Sequence, residues 1–197
     1  MGIGDMFNLE KQLGFYAQYH HNTVNFALHV VGVPMLLWSG FVYFAGLYQC
    51  PMPEVAKPAL ETVGLGDMPF HGGLLAAGIY AAGYIAMEPF AGSLASILLG
   101  LGGITSYTFY STSEHPFLYA TAIQIACWSM QIYGHYAYEK RAPAFLDNIF
   151  QSFYLAPYFV FLEIMFLFGY RPELAKRIYN NAERDIKQWR ASQKKAN

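Results

Sequence analysis

Residues 26–53 read FALHVVGVPMLLWSGFVYFAGLYQCPMP, and this stretch decides the fold. It contains no Asp, Glu, Lys or Arg. A helix needs about 20 such residues to cross ~30 Å of hydrocarbon, and the stretch exceeds that before Pro51 and Pro53 close it. Working outward, Met68–Met87, Pro89–Ser113 and His115–Tyr138 are equally free of charge. Such stretches in one short chain point to lipid as the solvent rather than to a soluble bundle. The composition agrees, with 55% hydrophobic and 13% charged residues, where a soluble domain has nearer a quarter charged. Too few charges remain to cover a water-facing surface. A net charge of −1 gives no reason to expect a nucleic-acid partner. The expected fold is all-α: a polytopic membrane bundle of about four transmembrane helices within residues 24–138, part of a single membrane-embedded domain over 1–197.

Local signals set the boundaries. Glu88–Pro89 separates the second stretch from the third, Ser111–Pro116 makes the next turn, and Glu139–Lys140–Arg141 ends the fourth. A fifth apolar segment, 149–170, carries Pro157 and Glu163 and is expected to half-insert or lie along the interface. Residues 171–197 form a polar, basic tail with a helical pattern. Residues 1–21 are expected to hold an interfacial helix. Asp5, Glu10 and Lys11 break any signal-peptide pattern there, so insertion should rely on internal segments. Cys50 and Cys127 provide neither a disulfide framework nor a metal motif. Lys140, Arg141 and the tail carry the basic residues, whereas the loop after the first span has only Lys57. By the positive-inside rule both termini and the Glu139–Asp147 loop are cytoplasmic, and the fifth segment does not cross.

This topology sorts the histidines. His20, His21, His29 and His135 fall near one membrane face; His71 and His115 fall near the other, a bilayer thickness away. His20 and His29 are nine positions apart and would lie on opposite sides of a straight helix. They converge only if the chain turns between them, and Asn22 and Thr23 are suitable N-cap residues there. Asn25 and His29, and likewise His135 and Glu139, are spaced i,i+4 and share helix faces. His20, His29 and His135 therefore form a candidate three-histidine metal site, with His21 as an alternative to His20. Imidazole suits iron, zinc and copper. Asn25 and Glu139 are candidate outer partners, and Glu139 is also a candidate fourth ligand. Polar groups at membrane depth are costly and usually functional.

The segment Tyr16-x₃-His20-x-Asn22-x₂-Asn25-x₃-His29-x₂-Gly32-x-Pro34 resembles the N-terminal signature of the Mpo1-like family. Gln131-x₂-Gly134-His135-x₃-Glu139-x-Arg141-x-Pro143-Ala144, followed by Leu146-Asp147-Asn148 and Ala156-Pro157, resembles its second signature. The resemblance runs from about Met6 to Tyr170. It implies an Fe(II)- and O₂-dependent dioxygenase of the endoplasmic reticulum. That enzyme would convert long-chain 2-hydroxy fatty acids from phytosphingosine breakdown to acids one carbon shorter, a fatty acid α-oxidation in sphingolipid metabolism. It carries over His20, His29 and His135 as iron ligands and catalytic residues. Asn25 and Glu139 come over as motif positions. A 2-hydroxy carboxylate would chelate the metal, its tail would lie among the apolar spans, and Lys140, Arg141 or Tyr16 could meet the substrate. The final Lys194-Lys195-Ala196-Asn197 resembles a dilysine retrieval signal. Two other functions fit the same residues: a non-enzymatic transporter or scaffold, and a zinc-dependent membrane hydrolase. Oligomeric state is not legible in the sequence.

Overall fold

Asn22 starts the helix on which the other elements are built. Its extended backbone and side-chain oxygen cap the chain, accepting from the N–H groups of Val24 at 2.9 Å and Asn25 at 3.4 Å. The result is α2 (Thr23–Leu47), preceded by the shorter α1 (Leu9–Ala17), which Asn8 caps in the same way. The computed structural model describes residues 8–143, 149 and 151–196, with side chains as far as residue 192. Met6, Ala144, Leu146-Asp147-Asn148, the side chains of Lys194 and Lys195, and Asn197 lie outside the described residues.

After α2 comes a two-residue strand, β1 (Gln49–Cys50), then α3 (Lys57–Glu61), then β2 (Phe70–His71), which pairs antiparallel with β1. The remaining helices are α4 (Gly72–Met87), α5 (Pro89–Thr112), α6 (Pro116–Gly134), α7 (Ala156–Leu167) and α8 (Pro172–Ala196). A π-helical turn, His135–Glu139, continues α6, and a second, Gln151–Leu155, precedes α7. The molecule is a helical bundle with one minimal β-ladder, the latter not expected from the sequence.

Each uncharged stretch becomes one helix, but they are not equivalent. α2 and α5 are long and apolar enough to cross a membrane. α4 has 16 residues, roughly 24 Å at 1.5 Å per residue and short of the hydrocarbon thickness. Its stretch loses residues 70–71 to β2, and Gly72 N–H donates to the Tyr48 carbonyl at 2.9 Å. α6 has 19 residues but carries Thr121, Gln124, Ser129 and Gln131, which dilute its apolar character. The fifth segment joins α8 across a 117° bend, with Gly169 and Arg171 in the left-handed region. Among the described residues two helices thus qualify alone, or three if that bent pair counts as one, against about four expected.

α2 packs against α4, α5, α6 and α7 and is the hub of the bundle. α4 and α5 approach most closely at Gly92, where a Cβ would collide with the Tyr84 backbone. Their outer faces expose Ile79, Ile97, Leu98 and Leu101, and α6 exposes Leu118 and Ile125. A continuous apolar exterior of this kind suits lipid contact. α8 lies on α1, joined by Arg177 to Glu10 at 3.1 and 3.2 Å and by Gln18 to Asp185 at 3.1 Å.

Candidate metal centre

The corner between α1 and α2 brings His20 against His29, and the end of α6 adds His135. Ring centroids are 4.4 Å apart for His20–His29, 4.8 Å for His20–His135 and 5.0 Å for His29–His135. One ring nitrogen from each lies within 4.8 Å of the others.

Hydrogen bonds fix the tautomers of two rings. His20 Nδ1 lies 3.0 Å from the Tyr16 carbonyl, and His29 Nδ1 lies 2.8 Å from the Asn25 carbonyl. A carbonyl oxygen only accepts, so both Nδ1 atoms carry the proton and both Nε2 atoms, when neutral, present lone pairs. Those Nε2 atoms face each other at 3.1 Å. Two lone pairs at that distance repel and cannot satisfy one another; a shared cation resolves the conflict. His135 Nδ1 is buried with no hydrogen-bond partner among the described residues. Burial, reinforced by His29 and His135, holds His20 well below the usual imidazole range, which keeps it in the ligand-competent neutral form. The donor set therefore fits a metal that takes imidazole nitrogen.

Surrounding residues hold this geometry. The Tyr16 ring stacks on His20 at 3.8 Å and 14°. Asn25, 0% exposed, donates from Nδ2 to Glu139 Oε1 at 3.1 Å and to the Tyr19 carbonyl at 3.4 Å. The same Glu139 oxygen accepts from the Asn22 backbone N–H at 2.8 Å. Glu139 thus ties the α1–α2 corner to the end of α6. The π-helical turn delivers it there, because widening the helix by one residue changes which side chain faces α2. Lys140, left-handed at φ 56°, ends the turn. Gly134 and Gly32 allow the helices to meet: a Cβ on the first would strike Asn25 Oδ1, and on the second the Gln131 amide.

A cavity of about 320 Å³ opens from the three histidines. It follows one stripe of α2, through Val33, Leu37, Gly40 and Phe41 to Phe44, and is otherwise lined by α6, Tyr80 and residues 151–157. His29 to Phe44 is roughly 22 Å along the helix axis.

Comparison with known proteins decides the family. Residues 6–168 match the family model described as 2-hydroxy-palmitic acid dioxygenase Mpo1-like. This chain belongs to the Mpo1-like family. It is 33% identical over 185 residues to 2-hydroxy-palmitic acid dioxygenase MPO1 of Saccharomyces cerevisiae, covering 93% of this chain and 94% of the yeast protein. No solved structure matches significantly.

Within this Mpo1-like chain the structure gives each sequence candidate a place. His20, His29 and His135 come together, while His21 is exposed and outside the cluster. His71 and His115 are also outside it. Glu139 sits in the outer layer, bonded to Asn22 and Asn25. Tyr16 lines the cavity. Lys140 is exposed, and the Arg141 guanidinium lies over Tyr19 at 3.6 Å and Trp189 at 4.7 Å. Neither basic residue lines the cavity, so the geometry gives no support to the carboxylate contact expected of them. Gln131 lines the cavity and had no role assigned from sequence. Gln131 donates to the Leu28 carbonyl at 3.3 Å, which leaves its buried Oε1 without a partner. Its place one turn before His135 was the available signal.

Proposed function

We propose that this chain is an Fe(II)-dependent dioxygenase that converts long-chain 2-hydroxy fatty acids to the acid one carbon shorter. The observation that carries this reading is the pair of ring nitrogens, His20 Nε2 and His29 Nε2, 3.1 Å apart at the histidine end of the cavity. The yeast relative, a 2-hydroxy-palmitic acid dioxygenase, supplies the substrate class. The balance is self-contained: dioxygen takes its electrons from the C1–C2 unit, and the lost carbon leaves as carbon dioxide with water. No external reductant is required.

Ferrous iron would supply, when bound, a positive charge that three neutral imidazoles leave uncompensated, together with open positions for substrate and dioxygen. An anionic head group then needs no lysine or arginine beside it, in keeping with the positions of Lys140 and Arg141. Tyr16 O and Asn25 O orient the ligand rings, and Glu139 holds Asn25 in place. The Tyr16 ring shields His20 from water. Gln131 Oε1 accepts a hydrogen bond from the substrate 2-hydroxyl. The tail lies along α2, each buried methylene contributing ~0.8 kcal/mol. The chain acts as one membrane-embedded unit of the endoplasmic reticulum membrane, with both termini cytoplasmic; the charge distribution supports the orientation, and the compartment follows the resemblance to the Mpo1-like family.

The test is anaerobic reconstitution with Fe(II), followed by 2-hydroxypalmitate or palmitate and O₂. Oxygen consumption and product chain length are read together. Turnover of the 2-hydroxy acid alone is expected. Equal turnover of palmitate removes the chelation step, and no turnover of either with iron bound removes the reading. Cytoplasmic protease access to the 51–67 loop would overturn the topology.

A further inference from the structure

Beyond the histidines and Gln131, three polar side chains of the lining bond within the protein. The Tyr80 hydroxyl donates to the Phe153 carbonyl at 2.9 Å and Gln151 Nε2 donates to the Gln12 carbonyl at 3.0 Å, and on α6 the same holds for Gln124. Its Nε2 donates to the Leu36 carbonyl at 2.8 Å and to Ser39 Oγ at 2.9 Å, and its Oε1 accepts from Trp128 Nε1 at 3.1 Å. With Gln124 bonded to its own neighbours, this part of the wall suits an alkyl tail. Depth is ordered alike on both helices. Gln131 faces Leu28, Gln124 faces Leu36 and Ser39, and Thr121 pairs with Tyr43 at the far end.

Gly40 sits on this wall, about 16 Å along α2 from His29. An added Cβ there meets nothing within 4 Å, unlike at Gly32 higher on the same helix. Gly14, Gly64, Gly78, Gly100 and Gly169 are equally open, but among the described residues only Gly40 of this group lines the cavity. Glycine in the interior of a helix costs roughly 0.5–1 kcal/mol relative to alanine. Here no close backbone approach and no positive φ requires it; what its missing side chain provides is open cavity.

We infer that Gly40 sets the chain length of the bound acid, its absent side chain leaving room for the distal part of the tail. This rests on the fatty acid reading above. The experiment compares wild type, Gly40→Ala and Gly40→Phe, each loaded with Fe(II), on 2-hydroxypalmitate and 2-hydroxyoctanoate. Binding of both acids to the metal-free proteins is measured by displacement of a fluorescent fatty acid. Gly40→Phe should lower the ratio of kcat/KM for the long acid over the short one by about 100-fold or more, the loss of several buried methylenes. The short acid should lose far less than the long one and iron content should hold, with Gly40→Ala intermediate in the ratio. An unchanged ratio in folded, iron-loaded Gly40→Phe overturns the inference, as does an equal loss on both acids. If wild type turns over neither acid yet binds the long one, and Gly40→Phe loses that binding selectively, the reaction reading fails and the role of Gly40 stands. If neither acid displaces the probe from wild type, the inference fails as well.

Discussion

Both ends of α2 have a buried histidine beside them, and the two are used differently. At the starting end His29 meets His20 and His135, and at least two of the rings present proton-free nitrogens into one small space. At the other end, roughly 27 Å away, His71 is 0% exposed, stacks on Tyr107 at 4.9 Å and caps α4. Its Nδ1 accepts from the Leu74 N–H at 3.4 Å, so that lone pair is already spent. Burial of a histidine therefore does not by itself make a site. What matters is whether the neighbours engage Nδ1 as a donor and so leave Nε2 free, and whether other rings converge on it.

The strongest way to break this comparison is to remove one histidine at a time. His20→Ala, His29→Ala and His135→Ala should each lower metal affinity by more than about 100-fold, exceeding the effect of losing an outer partner. His71→Ala should keep its metal. Metal content after purification and dialysis reads both, and loss of metal from folded His71→Ala would erase the distinction between the ends.

Glu139 comes next, because its single oxygen serves two donors across the α1–α2 corner. Glu139→Ala should weaken metal binding about 10- to 100-fold, in line with outer partners of metal ligands. Glu139→Gln keeps an acceptor oxygen and should fall between. A fourth-ligand role would instead make both variants as severe as His29→Ala in the same titration.

At the far end, His71→Ala should cost about 1 kcal/mol through the lost cap, seen as a lower unfolding midpoint with metal affinity unchanged. His71→Asn should recover most of it. The smallest effect belongs to the exposed Arg177–Glu10 pair. Its hydrogen bond to Arg177 holds the Glu10 carboxyl below its ordinary range, so its contribution is present near neutral pH and is lost as pH falls through the folded value. Glu10→Ala should barely move the midpoint, and added salt should remove what difference there is.

The helices and the corner were legible because their causes are local. Runs without charge specify apolar helices, and Asn22 caps α2 through atoms two and three residues away. The convergence of His20, His29 and His135 was legible too, because membrane depth orders residues along one axis. Depth is coarse, however, and cannot separate His20 from its neighbour His21, nor a ligand from Glu139 one turn beyond His135. The shortened α4 was hidden as well, since β2 takes residues 70–71 by pairing with Gln49 and Cys50 across a loop.

By itself, then, the sequence determined the all-α class, the histidines at one face and the family signatures, since apolarity and capping act over a turn or two of chain. Tertiary structure alone decided which ring nitrogens are free, which basic residues are spent elsewhere and where the cavity runs. Arg141 shows why: Tyr19, just beyond α1, and Trp189, on α8, claim its guanidinium from far along the chain. Such partners are chosen by packing, and only the folded chain brings them within the few ångströms over which a cation and a ring attract.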